Sequence, residues 1–181
     1  MPDVLPVRIV VMGVSAVGKS TVAAWIAASA GLSFVDADDL HPAANKAKMA
    51  AGVPLDDADR GPWLDRVGAT LADARGRGTV IACSALKRAY RDRIRAAAPD
   101  AYFVFLDGDH DVLRQRAAAR TGHFMPPSLL DSQLATLEPL GPDENGGRVD
   151  VDFPVDQVCA AALAVVAAAH PELALDRRNR G

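Results

Sequence analysis

The stretch Val7-Arg8-Ile9-Val10-Val11-Met12 runs without a gap into Gly13-Val14-Ser15-Ala16-Val17-Gly18-Lys19-Ser20-Thr21. The first part is an apolar, β-branched run of the kind that fills a parallel strand buried on both faces. Gly13–Ser20 then fits G-x-x-x-x-G-K-[ST], and Ser20–Ala30 reads as an Ala-rich helix closed by Gly31. Strand, glycine loop and helix, in that order, give the pattern its chemistry. The glycines let backbone N–H groups turn inward around a phosphate, and the helix N-terminus adds partial positive charge. Lys19 is placed to reach the β- and γ-oxygens of a nucleoside triphosphate, and Ser20 to ligate Mg²⁺. The competing reading is a strand-to-helix turn with no ligand, and the complete pattern in its full context argues against it. The motif does not say what receives the phosphate.

Further along the chain, short apolar runs alternate with helical patterns. Ser33–Asp36, Thr79–Cys83, Ala101–Leu106 and Val149–Phe153 read as strands. His41–Ala51, a segment after Pro62 carrying Leu64, Val67, Leu71 and Ala74, Lys87–Ala98, Asp109–Arg120, Ser128–Leu137 and Val155–Ala169 read as helices. Gly76 and Gly78 are read as ending the second of these. The alternation predicts an α/β, three-layer fold with a parallel five-stranded sheet and helices on both faces. One domain over 1–175 is expected, with a lid near 120–138 and a solvated tail over 176–181. Thr121–Pro127 and Pro139–Gly147 are the loop candidates.

Composition narrows the function classes. The 181 residues carry 20 Lys+Arg and 23 Asp+Glu, a formal charge of −3. Scattered, slightly acidic charge speaks against nucleic acid and polybasic membrane binding. The longest apolar run, Val158–Ala169, is too short for a bilayer, which needs about 20 residues. No signal peptide is read at the N-terminus. Cys83 and Cys159 make neither a disulfide framework nor a metal-ligand spacing, so a reduced, cytoplasmic protein is expected. The chain has 35 Ala, and 16 Arg against only 4 Lys (Lys19, Lys46, Lys48, Lys87).

Candidate acceptor residues follow the predicted strands. Asp36 and Asp38, two apart on an extended segment, are expected to face one crevice beside the phosphate loop. One carboxylate can hold the Mg²⁺ water shell and the other can take a proton from an attacking hydroxyl. The alternative is a helix N-cap cluster. Arg60 offers a planar fork for a carboxylate, or is a lone surface charge. Lys87 and Arg91 share a helix face and can meet an anion or form a solvated basic face. Arg116 and Arg120, also four apart, can cover a transferring phosphate. His123 is a substrate contact or a surface histidine. Trp25 and Trp63 read as packing residues. Asp107, at a strand end, reads as a loop or cap residue.

Four segments resemble a known family: MGVSAVGKST, DADDLHPAANKAKMAAGVPLDDADRGPWL, CSALKRAYRDRIR and RTGHFMPPSLLDSQLATLEP, together spanning Met12–Pro139. The chain resembles the small bacterial-type gluconokinases, relatives of shikimate kinase among P-loop kinases of nucleoside-monophosphate-kinase type. The second segment is far more selective than the phosphate loop. The resemblance implies ATP-dependent phosphorylation of D-gluconate at its 6-hydroxyl. It implies that Gly13, Val14, Ser15, Ala16, Val17, Gly18, Lys19, Ser20 and Thr21 hold the ATP phosphates, with Ser20 and, through water, Asp36 on Mg²⁺. It implies Asp38 as the base, His41, Arg60, Lys87, Arg91 and His123 as the gluconate shell, and Arg120 and Arg116 as lid arginines. The adenine is expected near Asp152–Val155. Family relatives are often dimers, so a homodimer is a further implication. The rival readings are the same chemistry on another sugar acid or a shikimate-like acid, and a non-catalytic nucleotide sensor or GTPase switch. Asn45-Lys46-Ala47-Lys48 is a poor match to the guanine motif N-K-x-D.

Overall fold

The computed structural model describes residues 5–120 and 126–174. Strand β1 (Val7–Met12) lies at the centre of a sheet ordered β2-β3-β1-β4-β5, with β2 (Ser33–Asp36), β3 (Gly78–Ala82), β4 (Tyr102–Asp107) and β5 (Gly146–Asp150). Every pairing is parallel. Side chains alternate between two cores, as strand geometry requires. Val7, Ile9 and Val11 of β1 join Val80 and Val104 on one face. Val10 and Met12 join Ile81, Phe103 and Phe105 on the other.

Helices cover both faces. On the first lie α1 (Lys19–Ala30) and α7 (Val155–Ala169), which contribute Val22, Ile26, Val158 and Val166. On the second lie α3 (Asp57–Ala72) and α4 (Arg88–Ala97), with Leu64, Val67, Leu71 and Ile94. The expected α/β fold is present, with helices on both sides of a five-stranded parallel sheet. The other helices are α2 (Ala43–Ala50), α5 (His110–Ala119), α6 (Pro127–Thr136) and α8 (Pro171–Ala174). Residues 121–125 of the expected lid and the whole 176–181 tail lie outside the described residues.

Three boundaries differ most from the sequence reading, each for a local reason. Helix α3 starts at Asp57, before Pro62 rather than after it. Asp56 accepts from the Asp59 N–H at 2.7 Å, and Asp59 returns the bond to the Asp56 N–H at 3.1 Å. This reciprocal cap holds the first turn although Pro62 has no N–H to give. The helix ends at Ala72, and Gly78 opens β3 instead of closing α3. Strand β5 begins three residues earlier than expected, at Gly146. A Cβ on Gly146 would lie 2.3 Å from the Phe103 carbonyl oxygen, so the glycine that looked like loop is what lets this strand pair. Trp25 is half exposed on α1, not a core residue.

The segment leading into β5 is anchored by a buried ion pair. Arg91 on α4 is fully buried, and Glu144 is 1% exposed. The guanidinium donates to both Glu144 oxygens at 2.7 and 2.8 Å. It also donates to the carbonyls of Ala85, Leu86, Glu138 and Pro139. Arg95 and the Gly141 N–H complete the Glu144 shell. The Arg91 hydrogen bond is the main reason that the Glu144 carboxyl sits at about 2, below its ordinary 4.5. A depressed carboxyl adds stability above the unfolded value and loses it as pH falls through the folded one. Arg91→Met strands a buried carboxylate and is expected to cost about 3–5 kcal/mol in urea unfolding. Arg91→Met with Glu144→Leu should recover most of that. Glu144→Gln should flatten the loss of stability between pH 4.5 and 2.

Candidate active site

The site forms where β1, β2 and β3 end side by side. Gly13 adopts φ +147°, and a Cβ there would meet the Leu106 carbonyl oxygen at 2.7 Å and Val17 at 2.9 Å. Only glycine lets the chain turn this tightly out of β1. Ala16 and Gly18 also take positive φ, curling the loop before α1 opens at Lys19. The N–H groups of a helix's first turn have no partner within the helix. The loop is thus a cradle of donors at the positive end of α1.

This cradle forms one wall of a cleft of about 380 Å³. Ser15, Ala16, Gly18, Lys19, Ser20 and Thr21 line it together with Asp36, Asp38, Cys83, Ser84, Arg120 and Gln133. Lys19 Nζ donates to the Val14 carbonyl at 2.9 Å. Burial lowers the Lys19 amine to about 8, against the pull of Asp38 and Asp36. The same environment pushes the Cys83 thiol up to about 12, so Cys83 is an inert wall.

Asp36 and Asp38 both reach the cleft, but not by strand alternation. Asp36 ends β2, and Ala37–Leu40 form a 3₁₀ turn that carries Asp38. Asp36 Oδ1 caps that turn by accepting from the Asp38 N–H at 3.0 Å. Its other oxygen accepts from Ser20 Oγ at 2.9 Å. The cap and the cleft-facing carboxylate are therefore one residue. Burial raises the Asp38 carboxyl, and the Asp36 charge raises it further.

A second cluster adjoins the cleft through Asp38. His41 stacks on Trp63, ring centroids 4.3 Å apart, while Trp63 Nε1 donates to the Ala37 carbonyl at 2.7 Å. Asn45 Nδ2 bonds His41 Nδ1 at 3.2 Å and donates to the Asp59 carbonyl at 2.9 Å. An amide nitrogen only donates, so His41 Nδ1 accepts and Nε2 carries the proton. Burial lowers the His41 pKa, which favours this neutral ring. Beyond it, Asp57 gathers the two expected cations: Lys87 Nζ at 3.2 Å and Arg60 at 3.7 Å. Both lie against the Tyr90 ring, whose hydroxyl donates to Asp57.

Two expected residues are elsewhere. Arg91 is sequestered with Glu144 and has no N–H left for an acceptor, so it leaves the substrate set. Arg116 donates to the Val151 and Phe153 carbonyls rather than facing the phosphate cleft. Arg120 does line the cleft. His123 lies outside the described residues. Asp107 pairs with Arg148 at 3.0 Å and is neither a cap nor part of the cleft. The sequence reading missed Gln133, Asn45 and Asp57. Asp57 lies inside the selective PLDDADRGPWL segment, which was the available signal.

A phosphate cradle at the carboxyl edge of a parallel sheet, with acidic and basic side chains opposite it, defines a P-loop kinase. Residues 9–140 match the family model described as an AAA domain. The thermoresistant gluconokinase of Escherichia coli (strain K12) is 44% identical over 160 residues, which cover 87% of this chain and 91% of that protein. A gluconokinase structure from Sinorhizobium meliloti 1021 superposes with TM-score 0.83 at 46% identity, covering 94% of this chain and 97% of that one. The chain belongs to the gluconokinase family. Shikimate kinase from Aquifex aeolicus, at TM-score 0.57 and 16% identity over 89% of this chain and 96% of that one, shares the fold alone.

The Ser20–Asp36 pair offers hard oxygens of the type Mg²⁺ prefers. Among the described residues no cluster of three or more His, Cys, Asp or Glu side chains is placed to hold a metal. A metal at this pair would thus draw its remaining ligands from phosphate and water. Ser20→Ala is expected to weaken ATP binding about tenfold with Mg²⁺ present, the worth of one charge-assisted contact. Without Mg²⁺ the change should be small; calorimetric titration under both conditions measures it.

Proposed function

We propose that this chain transfers the γ-phosphoryl group of ATP to the 6-hydroxyl of D-gluconate, giving 6-phospho-D-gluconate and ADP. One observation carries the reading. Asp38, a desolvated carboxylate, shares the cleft with Lys19 and acts on His41, which in turn feels Arg60, one of the cations suited to an anionic acceptor. Membership of the gluconokinase family supports the choice of acid.

Asp38 receives the proton of the 6-hydroxyl as that oxygen bonds to the γ-phosphorus. The bond to the β–γ bridging oxygen breaks, and ADP leaves with its electrons. Lys19 sits against the β- and γ-oxygens, and phosphate charge returns its amine to full protonation. Arg120 faces the transferring group from the other wall and meets charge that develops there. Arg60 and Lys87 bind the carboxylate of the sugar acid, held in register by Asp57 and Tyr90. Neutral His41 donates from Nε2 to a sugar hydroxyl. Ser20 and, through water, Asp36 would hold Mg²⁺, which would supply charge neutralisation to the triphosphate. The adenine rests against the Asp152–Val155 segment. Helix α6 covers the cleft and limits water that would otherwise hydrolyse ATP. Among the described residues no helix is long and apolar enough to cross a membrane. The enzyme works in the cytoplasm, with its ATP.

A coupled assay of ADP release with a panel of acids tests the substrate. Turnover with D-gluconate and none with shikimate is expected; the reverse overturns the reading. Asp38→Asn should lower kcat by about 10²–10⁴ while ATP binding stays nearly unchanged. The base works only when ionised. Its raised pKa therefore puts the acid limb of the kcat/KM profile above the ordinary carboxylate value of 3.8. A profile flat from pH 8 down to that ordinary value would contradict the assignment.

A further inference from the structure

Helix α6 hydrogen-bonds to the phosphate loop through Gln133. Gln133 Oε1 accepts from the Ser15 N–H at 2.6 Å, although the two residues are 118 apart in sequence. Gln133 lines the cleft together with Lys19 and Arg120. A backbone N–H facing a carboxamide identifies the oxygen end. The Nε2 end, with two neutral donors, is thereby turned away from Ser15.

The helix that carries Gln133 is firmly seated. Leu130, one turn earlier, is 1% exposed in the α1/α7 core. Asp131 pairs with Arg114 of α5 at 2.8 Å. Past its end, the Glu138 N–H donates to the Leu86 carbonyl at 2.8 Å, and the Glu138 carboxylate accepts from the Arg88 N–H at 2.6 Å. Gln133 is held over the loop at a fixed height.

We propose that Gln133 is a binding residue for the terminal phosphate of ATP. Its oxygen is anchored on the Ser15 N–H, and its amide N–H groups donate to a γ-phosphate oxygen. This contact exists for ATP and is lost with ADP, so α6 holds ATP more tightly than the product. The inference rests on the kinase reading above. It adds a neutral donor to the charged pair Lys19 and Arg120, and it ties release of ADP to departure of the γ-phosphoryl group.

The full chain and its Gln133→Glu and Gln133→Leu variants are titrated with AMPPNP and with ADP, both with Mg²⁺. Gln133→Glu keeps an acceptor for Ser15 but removes both donors. It is expected to raise the Kd for AMPPNP at least about tenfold and that for ADP less than about threefold, with KM for gluconate unchanged. Gln133→Leu should weaken AMPPNP selectively as well. Equal effects on both nucleotides, or none, overturn the proposal and leave Gln133 a structural latch. Wild-type protein that binds neither nucleotide overturns the kinase reading itself, and this inference with it.

Discussion

The desolvated ammonium of Lys19 is the constraint on which the site depends. Its bond to the Val14 carbonyl and its lowered pKa describe a cation desolvated by burial, with Asp38 and Asp36 only partly offsetting that cost. A bound polyphosphate would add counter-charge there. The position of Lys19 follows from β1, whose Ile9–Met12 are buried on both faces and so belong in the middle of the sheet. The order β2-β3-β1-β4-β5 then brings the ends of β2 and β3 beside the loop. Asp36, Asp38, Cys83 and Ser84 reach the cleft because those strands end there.

Charge is divided between two jobs. Lys19, Arg120, Asp36 and Asp38 face the cleft, where burial shifts both Lys19 and Asp38 away from their ordinary values. Arg91, Glu144 and Arg95 instead join α4 to the segment between α6 and β5. That scaffold fixes the start of α4, where Lys87 stands as the N-cap residue. A buried pair of this kind is costly to break, whatever its net contribution. It holds Lys87 at a set distance from Asp57, and Asp57 in turn holds Arg60.

The phosphate loop and the sheet were legible in the sequence because their signals are local: a contiguous motif, short apolar runs and regular helical spacing. Helix α7 has the bounds expected from its proline and its Ala-rich run. Misreadings arose where a distant partner decides. Arg91 looked like a substrate ligand until Glu144, 53 residues away, claimed it. Arg116 turned to carbonyls of the 151–153 segment for the same reason. Gln133 was invisible because its partner is a backbone N–H across the cleft. Asp36 and Asp38 reach one crevice through a 3₁₀ turn that an alternation argument does not contain. The Asp56–Asp59 cap, by contrast, was local and readable, and Pro62 masked it.

A crystal structure with AMPPNP, Mg²⁺ and D-gluconate bound together tests the central claim most directly: that one cleft joins the Lys19 cradle to the Asp38, Arg60 and Lys87 cluster across a single acid. The expected result places O6 of gluconate within about 2.6–3.2 Å of the Asp38 carboxylate, in line with the γ-phosphorus. The gluconate carboxylate should lie against Arg60 and Lys87. A sugar acid bound the other way round, with its carboxylate toward Lys19 and O6 remote from Asp38, would contradict it.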